Sequence, residues 1–369
     1  MMSPYSRFCN YVLEGPKNYK STKLTTTFNK RQRYVIHGVN LQTYIRLGMI
    51  LTKVHRVIKF RQIAFLKAYI LFCTKLRALA ITKFEKDLFK LMANSVYGKT
   101  IEDVTKHLTA KIVRTSKAIR KEAGKPGFLS CFIINDEMAI IYSKKKRVVI
   151  YSPFAVGFTI LEISKNYMYT SFYDHFCHYL NNPRVLFSDT DSLLIALSTK
   201  DIRKDLFNSR KMFDFSNYPT DHPLYSKEKQ NLLGYFRDEM ASKIIIEFIG
   251  LRSKVYSILS CDESKLNVLL NNPNYLDNKK VCKGIRKNVI KNVMRHEDYR
   301  RCLSDIETVS ASMNVLRSNS HSISLQSVHK VAFTSFDCKR FLLHCGLHSI
   351  PFGHYILKYS ENILCPFCK

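Results

Sequence analysis

A chain of 369 residues can bury a substantial core and divide into two or three domains. Lys and Arg outnumber Asp and Glu by 59 to 29, and the resulting +30 exceeds what solubility requires, so a polyanionic partner, nucleic acid first, is expected. With no apolar stretch of membrane-span length, no signal-peptide core and no amphipathic helix with a lone basic face, the expected class is a soluble, intracellular protein with no membrane partner. The imbalance is steepest at the start: from Met1 to Phe84 the only acidic residue is Glu14, against sixteen Lys or Arg. Eleven irregularly spaced cysteines, an odd count, point to reduced thiols rather than a disulfide framework.

After a polar, Thr-rich lead (Ser21 to Thr27), residues 1 to about 100 read as mostly helical. Leu76, Ala80, Phe84, Leu88 and Leu91 recur at three- and four-residue steps and predict the apolar stripe of one helix. Lys83, Lys86, Lys90 and Asn94 fall on another face, stacking three ammonium groups and an amide. Like charges at this spacing destabilise an isolated helix. Either an anion such as a triphosphate covers them, which suits compact lysine charge, or the face is simply solvated. Ser95-Val96-Tyr97-Gly98 is expected to end the helix, with Gly98 as the C′ residue and Tyr97 free to stack on a base or sugar.

Residues 101 to about 260 alternate strands with helices. Met138–Tyr142 and Val148–Tyr151 flank Lys144-Lys145-Lys146-Arg147, which predicts a hairpin with a basic tip, and Phe158 to Phe176 reads as a helix packed on that sheet. Val185-Leu186-Phe187 and Leu193-Leu194-Ile195 flank Ser188-Asp189-Thr190-Asp191-Ser192, a second hairpin. Its two carboxylates suit a hard divalent cation, and they equally suit an ordinary Asp-rich turn. Residues 198 to 233 are turn-rich before Ile244–Phe248 resumes strand character. On such a strand Lys254 and Tyr256 share a face, which fits either a phosphodiester backbone or plain solvent. The loop Asn271–Asn274, a small basic region and a Ser-rich stretch (Ser310 to Ser327) lead into the tail. There Cys345-x-x-His348 and Cys365-x-x-Cys368 have zinc-ligand spacing, but Pro351–Tyr355 looks like a packed turn and Cys368 is next to last, so packing is the favoured reading.

Lys90-Leu-Met-Ala-Asn94-Ser95-Val-Tyr97-Gly98 resembles the fingers motif Lys-x3-Asn-Ser-x-Tyr-Gly of family B DNA polymerases. Phe187-Ser-Asp189-Thr-Asp191-Ser192 resembles their palm motif Tyr-x-Asp-Thr-Asp-Ser, with Phe for Tyr, and Lys254-x-Tyr256 resembles the primer-gripping Lys-x-Tyr. The three occur in the family's order. Flanks including Tyr34–His37, Leu47-Gly48, His55–Val57, Gly157–Glu162, Lys283-Gly284 and Leu347–Tyr355 sharpen the resemblance to the protein-primed, viral and Maverick/Polinton-type branch, over the chain from about Lys23 onward. The resemblance implies an α+β right-hand fold with fingers helices, an antiparallel palm sheet and a small thumb. Residues 1–52 would be a lead and helical segment, 53–100 the fingers, 101–152 a β-hairpin insertion or connector, 153–265 the palm, and 266–369 the thumb and tail. The Lys144 hairpin would be a candidate for the family's DNA-encircling insertion.

By the same resemblance, Lys86 and Lys90 would grip the incoming triphosphate, and Asn94 and Tyr97 would shape the nucleotide pocket, Tyr97 excluding a ribose 2′-OH. Asp191 would be the principal ligand of Mg²⁺ or Mn²⁺, with Asp189 supporting. Lys254 and Tyr256 would hold the primer end, and Lys283 would contact duplex. Implied partners are primer–template DNA, dNTPs and a terminal-protein primer. The departures are equally specific. No Asp precedes Asp87, so the family's first palm aspartate motif and its exonuclease carboxylates are missing, and Ala78, Leu79 and Ile81 thin the fingers basicity. The expectation is therefore a C-terminal polymerase half that needs an N-terminal half for activity. The alternative is an inactive, mobile-element-derived DNA-binding relic. Nucleus, virus-associated site and organelle stay open as compartments.

Overall fold

The computed structural model describes residues 25–230, 232–266, 276–305, 307–319, 322–335, 339–343, 345, 348–358 and 365. The first part of the expected lead, the loop Asn271–Asn274, Leu347 and Cys368 lie outside the described residues. The described chain divides into two units. One is Val35–Asp174; the other joins the segment up to Tyr34 with everything from His175 onward. The expected palm segment, 153–265, therefore contributes to both. No helix among the described residues is long and apolar enough to cross a membrane.

The Val35–Asp174 unit contains α1 (Gly38–Arg46), α2 (Lys67–Leu79), α3 (Lys83–Thr100), α4 (Ser116–Ala123) and α5 (Phe154–Thr170). It also holds β1 (Leu108–Val113), β2 (Phe128–Asn135) and β3 (Met138–Lys144), an antiparallel sheet in the order β1-β3-β2. Neither helix nor strand is described from Leu47 to Leu66, so this region is less helical than expected. The single helix expected across Leu76–Leu91 is two. Thr82 Oγ1 accepts from the Glu85 amide while the Glu85 carboxylate accepts from the Thr82 amide, a capping box that starts α3 afresh. The apolar stripe is split by this break, and Phe84, Leu88 and Leu91 are exposed rather than buried. At the other end α3 runs through Gly98 to Thr100, whose hydroxyl donates to the Tyr97 carbonyl at 2.7 Å. Gly98 is thus an interior residue of the helix, not its C′ stop.

The hairpin of the sheet is also different from the expected one. β3 pairs with β2 across a turn at Asp136 and Glu137, where Asn135 Oδ1 accepts from the Glu137 amide at 3.0 Å. Lys144–Arg147 follows β3 instead of turning it back, and Val148–Tyr151 forms no strand. The Asn side chain makes an Asx turn that the basic run cannot make. The helix that covers this sheet is α4: Ala118 and Ile119 pack on Val113, Ala139 and Ile141. Glu122 of α4 is buried between two ammonium groups, and Lys111 first, then Lys125, hold its carboxyl down at about 2.

α5, expected on that sheet, packs on α1 and α3. Gly157 makes the approach possible. A Cβ there would stand 2.2 Å from Ile101 Cγ2 and 2.4 Å from Thr100 Oγ1. Helix propensity alone favours Ala over Gly by roughly 1 kcal/mol. Overpacking a close contact costs roughly 1–3 kcal/mol, and here it should win. Gly157→Ala is expected to lower the urea midpoint at unchanged slope; a raised midpoint would contradict the close approach.

In the other unit, β4 (Arg184–Asp189) and β5 (Ser192–Ala196) form a two-stranded antiparallel ribbon that no further described strand joins. A three-stranded antiparallel sheet follows, built from β6 (Ile244–Arg252), β7 (Val255–Cys261) and β8 (Asp277–Cys282) in that order. Helix α6 (Ile202–Asn208) lies between ribbon and sheet in the chain, while α7 (Lys287–Asn292) and α8 (His296–Ser304) come after the sheet. The Ser-rich stretch is not a connector to the tail. It forms the long hairpin of β9 (Val309–Asn319) and β10 (Ser322–Phe333), because its serines alternate with Val315, Ile323, Leu325 and Val328 along the strands. One core, from Ile249 through Tyr299 to Phe333, joins β6, β7, α7, α8, β9 and β10 across residue 265. Two short strands, β11 (Phe341–Leu342) and β12 (Ser349–Ile350), follow, and a 3-10 turn (Tyr355–Lys358) comes after them.

Candidate functional site

The acidic hairpin is present, and its tip is tightly determined. Asp189 pairs with Ser192, and the Asp191 amide donates to the Asp189 carbonyl at 2.7 Å. Thr190 sits at φ +59°, in the left-handed region that non-glycine residues seldom enter. Its hydroxyl donates to Asp189 Oδ1 at 3.2 Å, and the Ser192 hydroxyl donates to the Asp189 carbonyl at 3.2 Å. Asp189 is half-buried. Asp191 is exposed, and its carboxylate makes no hydrogen bond or ion pair among the described residues.

Lys254 was expected on a strand. It occupies instead the turn between β6 and β7, at φ +62°. This orientation brings its ammonium to 3.4 Å from Asp189 Oδ1, so two hairpins remote in sequence meet tip to tip. The Lys283 amide donates to the Lys254 carbonyl at 2.9 Å, adding a third segment to the same place. Next to it Gly284, at φ +94°, leaves room for Lys330 of β10: a Cβ there would be 3.0 Å from the Lys330 ammonium. Lys330 escaped the sequence reading because the Ser-rich stretch around it was not read as a strand.

Below the tips the hairpins are joined by rings rather than ladder hydrogen bonds. Phe187 and Tyr256 lie 4.8 Å apart between centroids, and Phe248 stands 6.3 Å from Phe187 and 6.1 Å from Tyr256. Burial pushes the Tyr256 phenol up, so its hydroxyl stays protonated and available as a donor at neutral pH. Phe187, standing where the resembling motif has Tyr, contributes an apolar ring to this joint. On the far side of β7, Ser257 Oγ, His296 Nδ1 and Glu247 lie in sequence at 2.7 and 3.0 Å, but Ser257 is fully buried. That arrangement ties α8 to the sheet; a substrate has no access to the hydroxyl.

Lys83, Lys86, Lys90 and Asn94 are all exposed on α3, and Tyr97 is half-buried. They belong to the Val35–Asp174 unit, whereas Asp189, Asp191, Lys254, Tyr256 and Lys283 belong to the other. A recess on α3 is lined by Ser95, Val96, Lys99, Thr100 and Pro153 and so faces away from the lysine row. As a cation site, the Asp189–Asp191 pair offers the hard oxygen donors that Mg²⁺ and Mn²⁺ take. No third His, Cys, Asp or Glu joins the pair among the described residues.

No protein-family model matches the chain, and no curated protein matches it. A solved structure, "Phi29 DNA polymerase complexed with primer-template DNA and incoming nucleotide substrates (ternary complex)", is similar to it at a TM-score of 0.42 and 16% sequence identity, over 74% of this chain. The chain spans 38% of that polymerase's length.

Proposed function

We propose that the chain carries the fingers, palm and thumb of a DNA polymerase of the family B, protein-primed type, and that it serves the transfer of deoxynucleotides to a primer end, turning over only when a further metal-binding carboxylate joins the Asp189–Asp191 pair. The observation that carries this reading is the meeting of the Lys254 ammonium with the Asp189 carboxylate at 3.4 Å. A cation that can hold a phosphodiester sits beside a carboxylate pair that can hold a divalent metal, as primer and nucleotide require. Asp191, exposed and unengaged among the described residues, is the principal metal ligand, and Asp189, shared with Lys254, supports it. Lys254 and Tyr256 hold the primer terminus, with Lys283 on the duplex behind it. Lys86 and Lys90 take the triphosphate, and Asn94 and Tyr97 border the base and sugar. The primer 3′-oxygen attacks the α-phosphorus, and the bond to pyrophosphate breaks. Bound Mg²⁺ would neutralise charge on the attacking and leaving oxygens.

A second reading is a DNA-binding relic without turnover. It is favoured by the small donor set, two carboxylates of which one is already paired with Lys254. Binding separates the two readings without relying on chemistry. With a dideoxy-terminated primer–template and a divalent cation, the polymerase reading expects the next correct dNTP to slow DNA dissociation at least about tenfold, near 1.4 kcal/mol. A wrong dNTP should do nothing, and Lys90→Ala should remove the effect. Equal retention of blunt duplex and primer–template, with no dNTP discrimination, would leave only the relic. In both cases affinity should fall steeply with salt.

A further inference from the structure

Three soft ligands converge near the C-terminal end, away from the residues used above. β11 and β12 close a short hairpin in which the Leu343 amide donates to the His348 carbonyl at 2.8 Å, so Cys345 and His348 share its tip. His348 Nδ1 lies 3.5 Å from Cys345 Sγ and 3.5 Å from Cys365 Sγ. All three ligand atoms fall within 4.8 Å of one another.

Packing alone is the competing explanation, since Cys345 and Cys365 touch the small cluster of Leu343 and Ile350. It accounts for the sulfurs but not for an imidazole nitrogen placed evenly between them. Zinc does. With Zn–S near 2.3 Å and Zn–N near 2.1 Å at a tetrahedral angle, nitrogen and sulfur stand about 3.6 Å apart. The His348 amide also donates to Cys345 Sγ at 3.4 Å, which holds the sulfur beside the imidazole. Energetics point the same way. Among the described residues the local cluster has two fully buried members, Leu343 and Ile350, a small core of the kind that a metal commonly reinforces.

We propose that Cys345, His348 and Cys365 bind a zinc ion that fastens the C-terminal segment to the β11–β12 hairpin. The site is independent of the polymerase reading. The sequence offers one more thiol at Cys368, outside the described residues.

The full chain, purified under reducing conditions without added metal, is expected to carry one zinc per molecule by elemental analysis. Grown in zinc-poor, cobalt-supplemented medium, it should show thiolate-to-cobalt charge-transfer absorption. Cys345→Ser and Cys365→Ser should each weaken zinc binding about 100-fold or more, and His348→Ala likewise. Cys177→Ser, at an exposed thiol that is not part of the cluster, should leave zinc in place. His348→Cys supplies another zinc ligand and should retain the metal, which separates lost coordination from lost folding. Three results would overturn the proposal: a folded chain with neither zinc nor a charge-transfer band, full zinc in the Cys345→Ser, Cys365→Ser double variant, or a Cys345–Cys365 disulfide recovered in place of the metal.

Discussion

Alanine at Asp191 is expected to remove most of the gain that Mg²⁺ brings to correct-nucleotide binding on primer–template DNA, while leaving cation-free binding unchanged or slightly tighter. The two signs follow from one charge. Without a divalent cation an exposed carboxylate repels a triphosphate; with the cation it becomes a ligand and draws the triphosphate in. At about 6 Å and an effective dielectric of about 20, one unit charge acting on another is worth roughly 3 kcal/mol, or about 10²-fold. Asp189→Ala should lose less, because the Lys254 ammonium at 3.4 Å already offsets part of that charge. Titrating dNTP into the DNA complex with and without Mg²⁺ reads both signs; a uniform loss in both buffers would mean that Asp191 acts through the fold and not through a cation. Primer extension by this chain with Mg²⁺ should stay at the Asp191→Ala background, since the pair has no third ligand among the described residues. Extension clearly above that background would show that two carboxylates suffice.

What was legible in the sequence was local. The Asp189 hairpin could be read because two short β-prone runs bracket a turn rich in Asp and Ser, and neither feature depends on the rest of the chain. The lysine row could be read because helical spacing sets which residues share a face. The break before α3 was also written locally, as Thr82-Lys83-Phe84-Glu85, but the stronger three-and-four periodicity of the leucines masked it. Other features depended on partners distant in sequence. Met138–Tyr142 has β-prone runs on both sides, and the Asn135 side chain favours the turn through which it pairs backward to β2. The Ser310–Ser327 stretch looked like a connector on composition, whereas its alternation carries β9 and β10. Lys254 reached Asp189 because its residue turned into a positive φ that no side-chain rule announces, and because Phe187 and Tyr256 hold the two hairpins side by side. Likewise Cys345-x-x-His348 was visible as a spacing. The approach of Cys365 was not, because no local rule places a thiol 17 residues on beside the His348 ring.

The largest stability effect is expected at Glu162, whose flank was noticed in the sequence but whose role was not. Its side chain is 4% exposed within α5, yet it carries a carboxylate. The Asn40 amide donates to it at 2.8 Å, the His37 backbone amide at 3.3 Å and the Lys165 ammonium at 2.7 Å. Asn40 is wholly buried and His37 nearly so, so the carboxylate ties the start of α1 to α5 through donors that water cannot reach. Glu162→Ala would strand the His37 amide and one Asn40 amide hydrogen, the other still donating to the residue-162 backbone carbonyl at 2.8 Å, and would break the Lys165 pair, about 3–5 kcal/mol in all. Glu162→Gln keeps an acceptor and should lose about half of that. Burial raises the Glu162 pKa, but the hydrogen bonds from Lys165, Asn40 and the His37 amide outweigh it and hold the carboxyl below its ordinary 4.5. A depressed carboxyl stabilises the fold above its unfolded pKa, and that contribution drains away as the pH falls from about 4.5 toward the folded value. The stability gap between wild type and Glu162→Gln should therefore be full at neutral pH and narrow below about pH 4.5. The chain has no Trp, so urea unfolding followed by circular dichroism at several pH values is the measurement. A gap that stays constant through the acid range would mean that the Lys165 pair contributes nothing and that Glu162 holds α1 through the neutral hydrogen bonds alone.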